Sequence, residues 1–598
     1  MSQTRVNTTK ENVSNALFGL NRVMGDWLSN TRLRMTEVAS KYSGSMVRST
    51  PFWCISDDVT LGDEIPGDII LITQFFLGGT ATRAGELKAS LRVNVVNPYI
   101  DKVVLLNERM YTEEELGVKS DKIHQVVIGK RLSYESAFDS VEILGLTGYI
   151  VLANLDIFFD KSITNVKRSG IANEKAMFCL MRYEYQPGRP VSEAPLFDHI
   201  ADSQDTWIWH SSRNVGSAQR KAFDFNLGIP GCDNTMAYAA HLLGYRVYNT
   251  PVVIKSYHNH TSNQRSYNKN TTKTPMPFYY VRAILDTPPF DKHRQDPSHP
   301  FTFTGENENL RRFLSESLSS GEPFVIPRLA GIEHQYAVIG AQAGQRGRFD
   351  DSEAAYLNKT RSVMKNNAGV FLPTASSVVD YATSYLKAFH HCEAYCDWEP
   401  QGDVAASGMQ LAYEFMYVNF PRQRFWSFGT LDVFHVVNQE RPWTHELSGK
   451  RILVISPFAG TFQKQLPHMS KIYGRDMFPG CSFTFLKPPI TNAKNKSRPF
   501  MEELDNFASR IEAIKDTFDV ALVSCGGYGN PILGRMYEMG KSAIYVGGVL
   551  QMYFGVYGSR WERERPLVMK LFKNDYWVRP SSDERPPGFE QVEQSCYW

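Results

Sequence analysis

The stretch Gly148–Asp160, GYIVLANLDIFFD, restricts the fold of this chain more than any other. Gly148 to Ala153 is a short apolar, β-branched run of the kind that fills a central parallel strand. The run stops at Asn154-Leu155-Asp156, and a second carboxylate, Asp160, follows four residues after Asp156. On an extended backbone Asn154 and Asp156 point to the same side. Open α/β sheets bind ligands beyond the carboxyl ends of their strands. A carboxylate there can hold Mg²⁺ or Mn²⁺, hard cations that take oxygen ligands and bridge nucleotide phosphates. The other reading is local: Asp156 caps the next turn and Asp160 begins a helix.

The flanking sequence repeats the pattern. Asp68–Gln74 (DIILITQ), Val103–Asn107 (VVLLN) and His124–Ile128 read as strands, and Thr82–Asn94 reads as a helix between the first two. Strand alternates with helix, so a parallel-sheet α/β domain is expected. Downstream come Phe178–Tyr183, the aromatic-rich Thr206–Trp209, the turn Gly228–Asn234 opening a helix through Leu243, and Tyr257-His258-Asn259-His260. Residues 266–310 are polar and Pro-rich with little periodicity, and are expected to be a linker between an α/β domain at 61–265 and a second one at 311–598. Residues 1–60 read as an extension with an amphipathic helix at Asn15–Arg34, and the charged tail after Trp561 as loosely packed.

At 598 residues the chain exceeds one ordinary core. Its 65 basic and 63 acidic side chains give a net charge of only +2, so no global field recruits nucleic acid or an anionic membrane. No run of about 18 apolar residues appears, which leaves no membrane-spanning helix. The eight scattered cysteines and the polar N-terminus fit a reducing, cytoplasmic setting. The spacing His390-His391-Cys392-x-x-x-Cys396 lacks the second ligand pair of a zinc finger.

Glycosyl transfer needs an anchored nucleotide, a cation or basic group to neutralise the leaving diphosphate, and a carboxylate on the acceptor hydroxyl. The first half offers Thr73-Gln74 at a strand end, Arg83 and Glu86 on a helix, Asn154 and Asp156, Asp205, Asp233 and the histidines 258 and 260. Ile72-Thr73-Gln74-Phe75-Phe76, Ala153–Asp160 and Pro230-Gly231-Cys232-Asp233-Asn234 resemble motifs of the GT-A glycosyltransferases, over about residues 65–265. The resemblance implies that Thr73 and Gln74 sit near the base or ribose, that Asn154 and Asp156 stand for the DxD motif, and that His258 or His260 completes a Mn²⁺ or Mg²⁺ site. Asn154 departs from the usual first aspartate, and a neutral amide weakens metal affinity. Asp233, at a turn whose glycine admits close approach, is the first candidate for acceptor base and Asp205 the second. As an alternative, Asp233 is only a helix N-cap, and His258 and His260 are ordinary hydrogen-bonding residues.

In the second half, Ser524-Cys525-Gly526-Gly527-Tyr528-Gly529-Asn530-Pro531 follows the strand Asp519–Val523. Glycines there let backbone amides meet a diphosphate at a helix N-terminus. Lys541, Gly547, Gly548 and Gln551 add a second glycine turn and a basic group. Together with Gly449–Phe458 these motifs resemble the GT-D glycosyltransferases over about residues 320–562, which implies donor binding by Gly526, Gly527, Tyr528, Gly529, Lys541, Gly547, Gly548 and Gln551. The metal motif implied by that likeness falls on Arg328–Glu333, where Glu333 survives and Gly331 replaces the aspartate. Glu333 is thus either a catalytic carboxylate or the partner of Arg328 in an ion pair. Asp397, among carboxylates and rings in His390–Glu399, is a further candidate base, against a plain aromatic cluster.

The expectation is therefore an α/β chain with two nucleotide-binding, Rossmann-like glycosyltransferase domains, GT-A-like then GT-D-like. It resembles glycan-building fusions of large DNA viruses of algae, and it implies nucleotide-sugar donors and an oligosaccharide or glycoprotein acceptor. The rivals are a carbohydrate-binding or assembly protein with dead sites, and a nucleotidyltransferase or nucleotide-sugar hydrolase.

Overall fold

The computed structural model of the protein describes residues 52–56, 59–197, 203–262, 264, 274, 279–283, 303–397, 415–416, 418–420, 424–495, 497–592 and 595–598. The helix expected over residues 15–34 lies outside them. Contacts divide the described chain into two units, Pro51–Gly305 with Glu564–Phe572, and Glu306–Arg563 with Lys573–Trp598. Both are α/β.

The first unit contains β1 (Phe52–Ile55), β2 (Ile69–Thr73), β3 (Lys102–Asn107), β4 (Ile123–Val127), β5 (Tyr149–Ala153), β6 (Ile157–Phe159), β7 (Ala176–Leu180), β8 (Tyr183–Glu184), β9 (Thr206–His210), β10 (Arg246–Tyr248), β11 (Ser256–His258) and β12 (Tyr279–Arg282). Seven of these form one sheet in the order β10-β7-β9-β5-β2-β3-β4. All its pairings are parallel except the two made by β9. The apolar runs of β2, β5 and β7 are buried throughout, as strands covered on both faces must be. From β2 the chain builds outward through β3 and β4, then returns to place β5 on the other side of β2. The strand order reverses at that point, and such a switch opens a crevice at the carboxyl ends of the two strands. Thr73 and Asn154 stand there.

Two local features fix what surrounds the crevice. Gly148, leading into β5, has φ of 118°, and a Cβ on it would stand 2.4 Å from the Asp68 carbonyl oxygen, so only glycine lets β5 start where it does. Beyond β5 the chain turns into a small sheet ordered β6-β11-β8, in which His258 pairs with Ile157 of β6 and with Glu184 of β8. That register sets Asp156, His258 and Glu184 side by side.

β1 pairs in parallel with β12, one on each side of the residues 61–265 expected for the first domain. A strand on each side of the domain belongs to one sheet, because short strands gain stability only by pairing. The segment Glu564–Phe572 also belongs to this unit.

The second unit contains β13 (Val325–Ile326), β14 (Ala394–Asp397), β15 (Arg424–Ser427), β16 (Arg451–Ile455), β17 (Ser482–Leu486), β18 (Val520–Val523) and β19 (Ser542–Tyr545). Its main sheet runs β13-β19-β18-β16-β17 and is parallel throughout. Here the order switches between β16 and β18. The tail is not loose: Val592, Cys596 and Trp598 are buried, and Glu584 accepts hydrogen bonds from the amides of Gly460 at 2.8 Å and Thr461 at 3.3 Å. Its charge and prolines concealed apolar anchors spaced too widely to show a periodicity. No helix among the described residues is long and apolar enough to cross a membrane.

Candidate cation and donor site

Asp156 is the centre of the site. It is 7% exposed, and its Oδ2 lies 2.5 Å from Arg83 Nη2, 3.4 Å from His258 Nε2 and 3.5 Å from His260 Nδ1. The helix Ala81–Val96 presents Arg83 in its first turn, capped by Thr80, whose hydroxyl accepts from the Arg83 amide. Behind His258 stands Glu184, with Oε2 3.0 Å from His258 Nδ1, so the imidazole lies between two carboxylates. Arg182 in turn pairs with Glu184 through Nε at 2.7 Å and with Asp205 through Nη1.

The electrostatics follow from these contacts. Burial alone would raise the Asp156 carboxyl, but His258 and Arg83 outweigh it and hold the group far below the usual carboxylate range. Burial would likewise lower His258, yet Asp156 and then Glu184 bring it up to about 9. Glu184, also penalised by burial, is brought down to about 2 by His258 and Arg182. Negative charge is thus held at neutral pH on Asp156 and Glu184, on either side of one imidazole.

Asp156, His258 and His260 are the cluster of metal-ligating side chains among the described residues, with one ligand atom from each lying within 4.8 Å of the others. Asp156 Oδ2 stands 3.4 Å from His258 Nε2 and 3.5 Å from His260 Nδ1, close to the ~3–3.5 Å that separates neighbouring ligands on bonds of ~2.1 Å. One carboxylate with two imidazoles suits Mn²⁺ and other first-row ions better than Mg²⁺, which favours oxygen ligands and water. The residues fit a divalent cation.

Other expected residues fall differently. Asn154 donates through Nδ2 to Asp205 Oδ1 at 2.7 Å. This is a consequence of topology: β9 runs antiparallel to β5, with Ala153 opposite Thr206, so Asp205 arrives beside Asn154. Asp205 is held by Arg182 through Oδ2 and by Asn154 through Oδ1. The Gln74 side-chain amide engages the loop after β4, donating to the Lys130 carbonyl at 2.9 Å and accepting from the Leu132 amide at 3.0 Å. Thr73 Oγ1, by contrast, is buried at the crevice with no hydrogen-bond partner among the described residues. Asp233 is not an N-cap, since Gly231, with φ of 81°, fills that position. Asp233 lies in the first turn, where Oδ2 accepts from the Gln204 amide at 3.2 Å.

In the second unit the glycine-rich loop answers to packing. A Cβ on Gly527 would stand 2.4 Å from Val370 Cγ2, one on Gly529 2.3 Å from the Tyr545 ring and one on Gly526 2.7 Å from the Ala368 carbonyl oxygen. The Gly527 amide donates to Ala368 at 2.8 Å and the Tyr528 amide to Cys525 at 3.2 Å, so neither is available to a diphosphate. Tyr528 is buried, with its ring stacked on Phe500. Lys541 immediately precedes β19, which puts it at the amino edge of a parallel sheet, bonded to the Phe518 carbonyl that precedes β18. It is therefore at the opposite end from the crevice. A Cβ on Gly547 would meet the Arg328 guanidinium, one on Gly548 the Tyr597 ring, and Gln551 is buried. Glu333 lies in the first turn of the helix Gly331–Arg346, close enough to raise the hydroxyls of Tyr381, Tyr385 and Tyr545 beyond what burial does. Asp397 ends β14, and its side chain lies outside the described residues. Cys392 and Cys396 are buried and do not join a metal-ligating cluster among the described residues.

Sequence reasoning missed Arg182 and Glu184. The signal was there: they follow the buried run of β7 just as Asn154 and Asp156 follow β5. Reading Phe178–Tyr183 as one continuous strand hid it.

No family model and no curated protein matches this chain. Among solved structures it is similar to 4-diphosphocytidyl-2C-methyl-D-erythritol synthase from Anaerococcus prevotii, at 12% identity over 24% of this chain and 71% of that one, with a TM-score of 0.17. It is also similar to a mannosyltransferase from Pyrobaculum calidifontis in complex with GDP-Man and Mn²⁺, at 10% identity, 63% and 96% coverage and a TM-score of 0.26. A third, GalNAc-T7 with UDP, GalNAc and Mn²⁺, gives 9% identity, 33% and 44% coverage and a TM-score of 0.22. At these values the reading of the site rests on its own geometry.

Proposed function

We propose that the first unit is a GT-A-like glycosyltransferase that moves a sugar from a nucleotide-sugar donor to a hydroxyl of a growing glycan. The observation that carries this reading is the Asp156–His258–His260 cluster, one strand-end turn away from the switch between β2 and β5. Asp156, His258 and His260 would hold a Mn²⁺ ion, or Mg²⁺ less well. A bound cation supplies neutralisation of the charge that develops on a leaving diphosphate. The chain's own residues provide the rest. Thr73 Oγ1 offers a buried hydroxyl with unused hydrogen-bonding capacity at the crevice, and Glu184 fixes the ring of His258. Asp233, in the first turn of its helix, is the first candidate for the carboxylate that serves an acceptor hydroxyl, and Asp205 the second.

We read the second unit as GT-D-like, acting on a second sugar, with Glu333 beside Tyr381, Tyr385 and Tyr545 as its carboxylate. Its packed glycine loop weakens the donor-binding part of that reading, which makes the first unit the main seat of transfer. A glycoprotein glycan, such as that of a viral capsid, is the acceptor class that the fusion resemblance favours.

The experiment is a panel of nucleotide sugars offered to the full chain with Mn²⁺, with and without acceptor glycans, and transfer read by mass spectrometry. Asp156→Ala should remove one product and Glu333→Gln another. Donor breakdown that does not depend on acceptor would point to a hydrolase. Unchanged transfer in Asp156→Ala would refute the assignment of the site.

A further inference from the structure

Three groups converge on Asp156 Oδ2, and the closest is not an imidazole. Arg83 Nη2 lies at 2.5 Å, nearer than His258 or His260. The guanidinium is anchored at its other end, with Nη1 3.0 Å from Glu86 Oε2. Glu86 is itself fixed by the Ser262 amide at 2.7 Å, the Ser262 hydroxyl at 2.8 Å and the Thr261 hydroxyl at 2.9 Å. Arg83 and Glu86 are both buried. A guanidinium stays charged at any working pH and has no lone pair to give a metal. It therefore cannot join a coordination shell, and a divalent ion on the same oxygen would sit against a fixed positive charge in a poorly solvated site.

Resting on the cation-site reading above, we propose that Arg83 is a built-in counter-ion that competes with the divalent cation for Asp156. The centre then takes its ion tightly only when a nucleoside diphosphate draws the guanidinium onto its phosphate oxygens. Arginine suits this exchange because its planar fork pairs with carboxylate and phosphate oxygens alike. Its place in the first turn of Ala81–Val96, after the chain leaves β2 at the crevice, puts it where a diphosphate would arrive. Glu86 keeps hold of the other guanidinium nitrogen as a pivot. Cation and diphosphate then bind with positive coupling, each raising the affinity of the other by the same factor. Arg83 is a positioning residue that sets this coupling.

The test is a titration of the full chain with Mn²⁺, with free ion read by electron paramagnetic resonance, in the absence and presence of saturating UDP or GDP. In the wild type we expect affinity for Mn²⁺ to rise about tenfold or more when the effective nucleotide is added, within the usual range of coupling. In Arg83→Gln, affinity without nucleotide should rise about tenfold and the effect of nucleotide should shrink to match. Arg83→Lys retains the charge and should stay within about threefold of wild type without nucleotide. Asp156 keeps both imidazoles and Glu86 keeps its bonds to residues 261 and 262 in these variants; if Arg83→Gln does not fold, Arg83→Met fills a similar volume and serves the same purpose. Nucleotide-free affinity that is unchanged or lower in Arg83→Gln overturns the proposal, as does an equal rise in Arg83→Lys. If Asp156→Ala abolishes Mn²⁺ binding while Arg83→Gln leaves it as it was, only the role of Arg83 falls. If Asp156→Ala binds Mn²⁺ like the wild type, the cation centre falls and this inference with it.

Discussion

Replacing Asp156 by asparagine should destabilise the metal-free chain, and by an amount that depends on pH. The substitution keeps the shape of the side chain but leaves His258 and Arg83 facing a neutral amide. In the folded protein His258 is raised from its ordinary 6.5 to about 9, chiefly through Asp156 against the cost of burial. At ~1.4 kcal/mol per pH unit that corresponds to about 3 kcal/mol, the low end of what breaking a buried ion pair costs. The sign follows from linkage. A group whose folded value is raised stabilises fully below its unfolded value, and the contribution fades as pH climbs through the folded one. The loss in Asp156→Asn should therefore be largest between about pH 4.5 and 6.5, about 3 kcal/mol, and should shrink towards pH ~9.5, where the wild-type imidazole is mostly neutral, and again in acid below ~4, where the unfolded chain's Asp156 takes up its proton. The remainder at high pH measures the Arg83 contact. Urea unfolding with chelator present, followed by circular dichroism at the two pH values, gives both numbers. An equal loss at both, or none at either, would show that the charge on His258 is not coupled to Asp156 as the geometry requires.

Three further outcomes test other parts of the molecule. Gly148→Ala should cost about 2 kcal/mol or more, since the added carbon would stand 2.4 Å from the Asp68 carbonyl oxygen at a positive φ; a melting temperature equal to wild type would contradict the described start of β5. Gly529→Ala should lower stability by a similar ~2 kcal/mol by pressing on the Tyr545 ring, whereas a variant with wild-type melting but weakened nucleotide binding would restore the diphosphate-cradle reading. Thr73→Val should weaken donor binding by about tenfold through loss of one hydrogen bond while leaving stability unchanged or slightly higher, because Oγ1 has no partner to lose among the described residues. Isothermal titration with the effective nucleotide, beside a thermal melt, separates these effects.

The legible part of this chain is the part fixed by short-range pattern. Buried parallel strands are continuous apolar runs, so β2, β3, β5 and β18 could be placed within a residue or two. Asp156 was nameable because a carboxylate after such a run stands where open sheets bind ligands, and His258 and His260 because the resemblance to GT-A enzymes implied a late histidine at the cation. What the sequence could not supply was the partner of each side chain. Thr73 and Gln74 are neighbours of similar polarity at one strand end, yet one is left with unused capacity and the other is consumed by a loop more than fifty residues away. Asn154 and Asp156 share a side on an extended strand, but the antiparallel entry of β9 claims the first for Asp205, and the pairing of β6 with β11 delivers histidines to the second.

The glycine loop of the second unit shows the same limit from the other direction. Its residues fit a phosphate cradle by type, but Ala368, Val370 and Tyr545 fill the space that the missing side chains open. Lys541 carries the right charge at the amino end of β19, where strand direction puts it out of reach.

Composition, strand runs and the residues at their ends set the α/β class and the chemistry available to the GYIVLANLDIFFD stretch. Only the tertiary structure decided that Asp156 faces Arg83 before it faces any ion. Hydrophobic patterning is local and is written along the chain. The Coulomb partners of a buried carboxylate are brought together by strand order, and strand order depends on pairings between residues far apart in sequence.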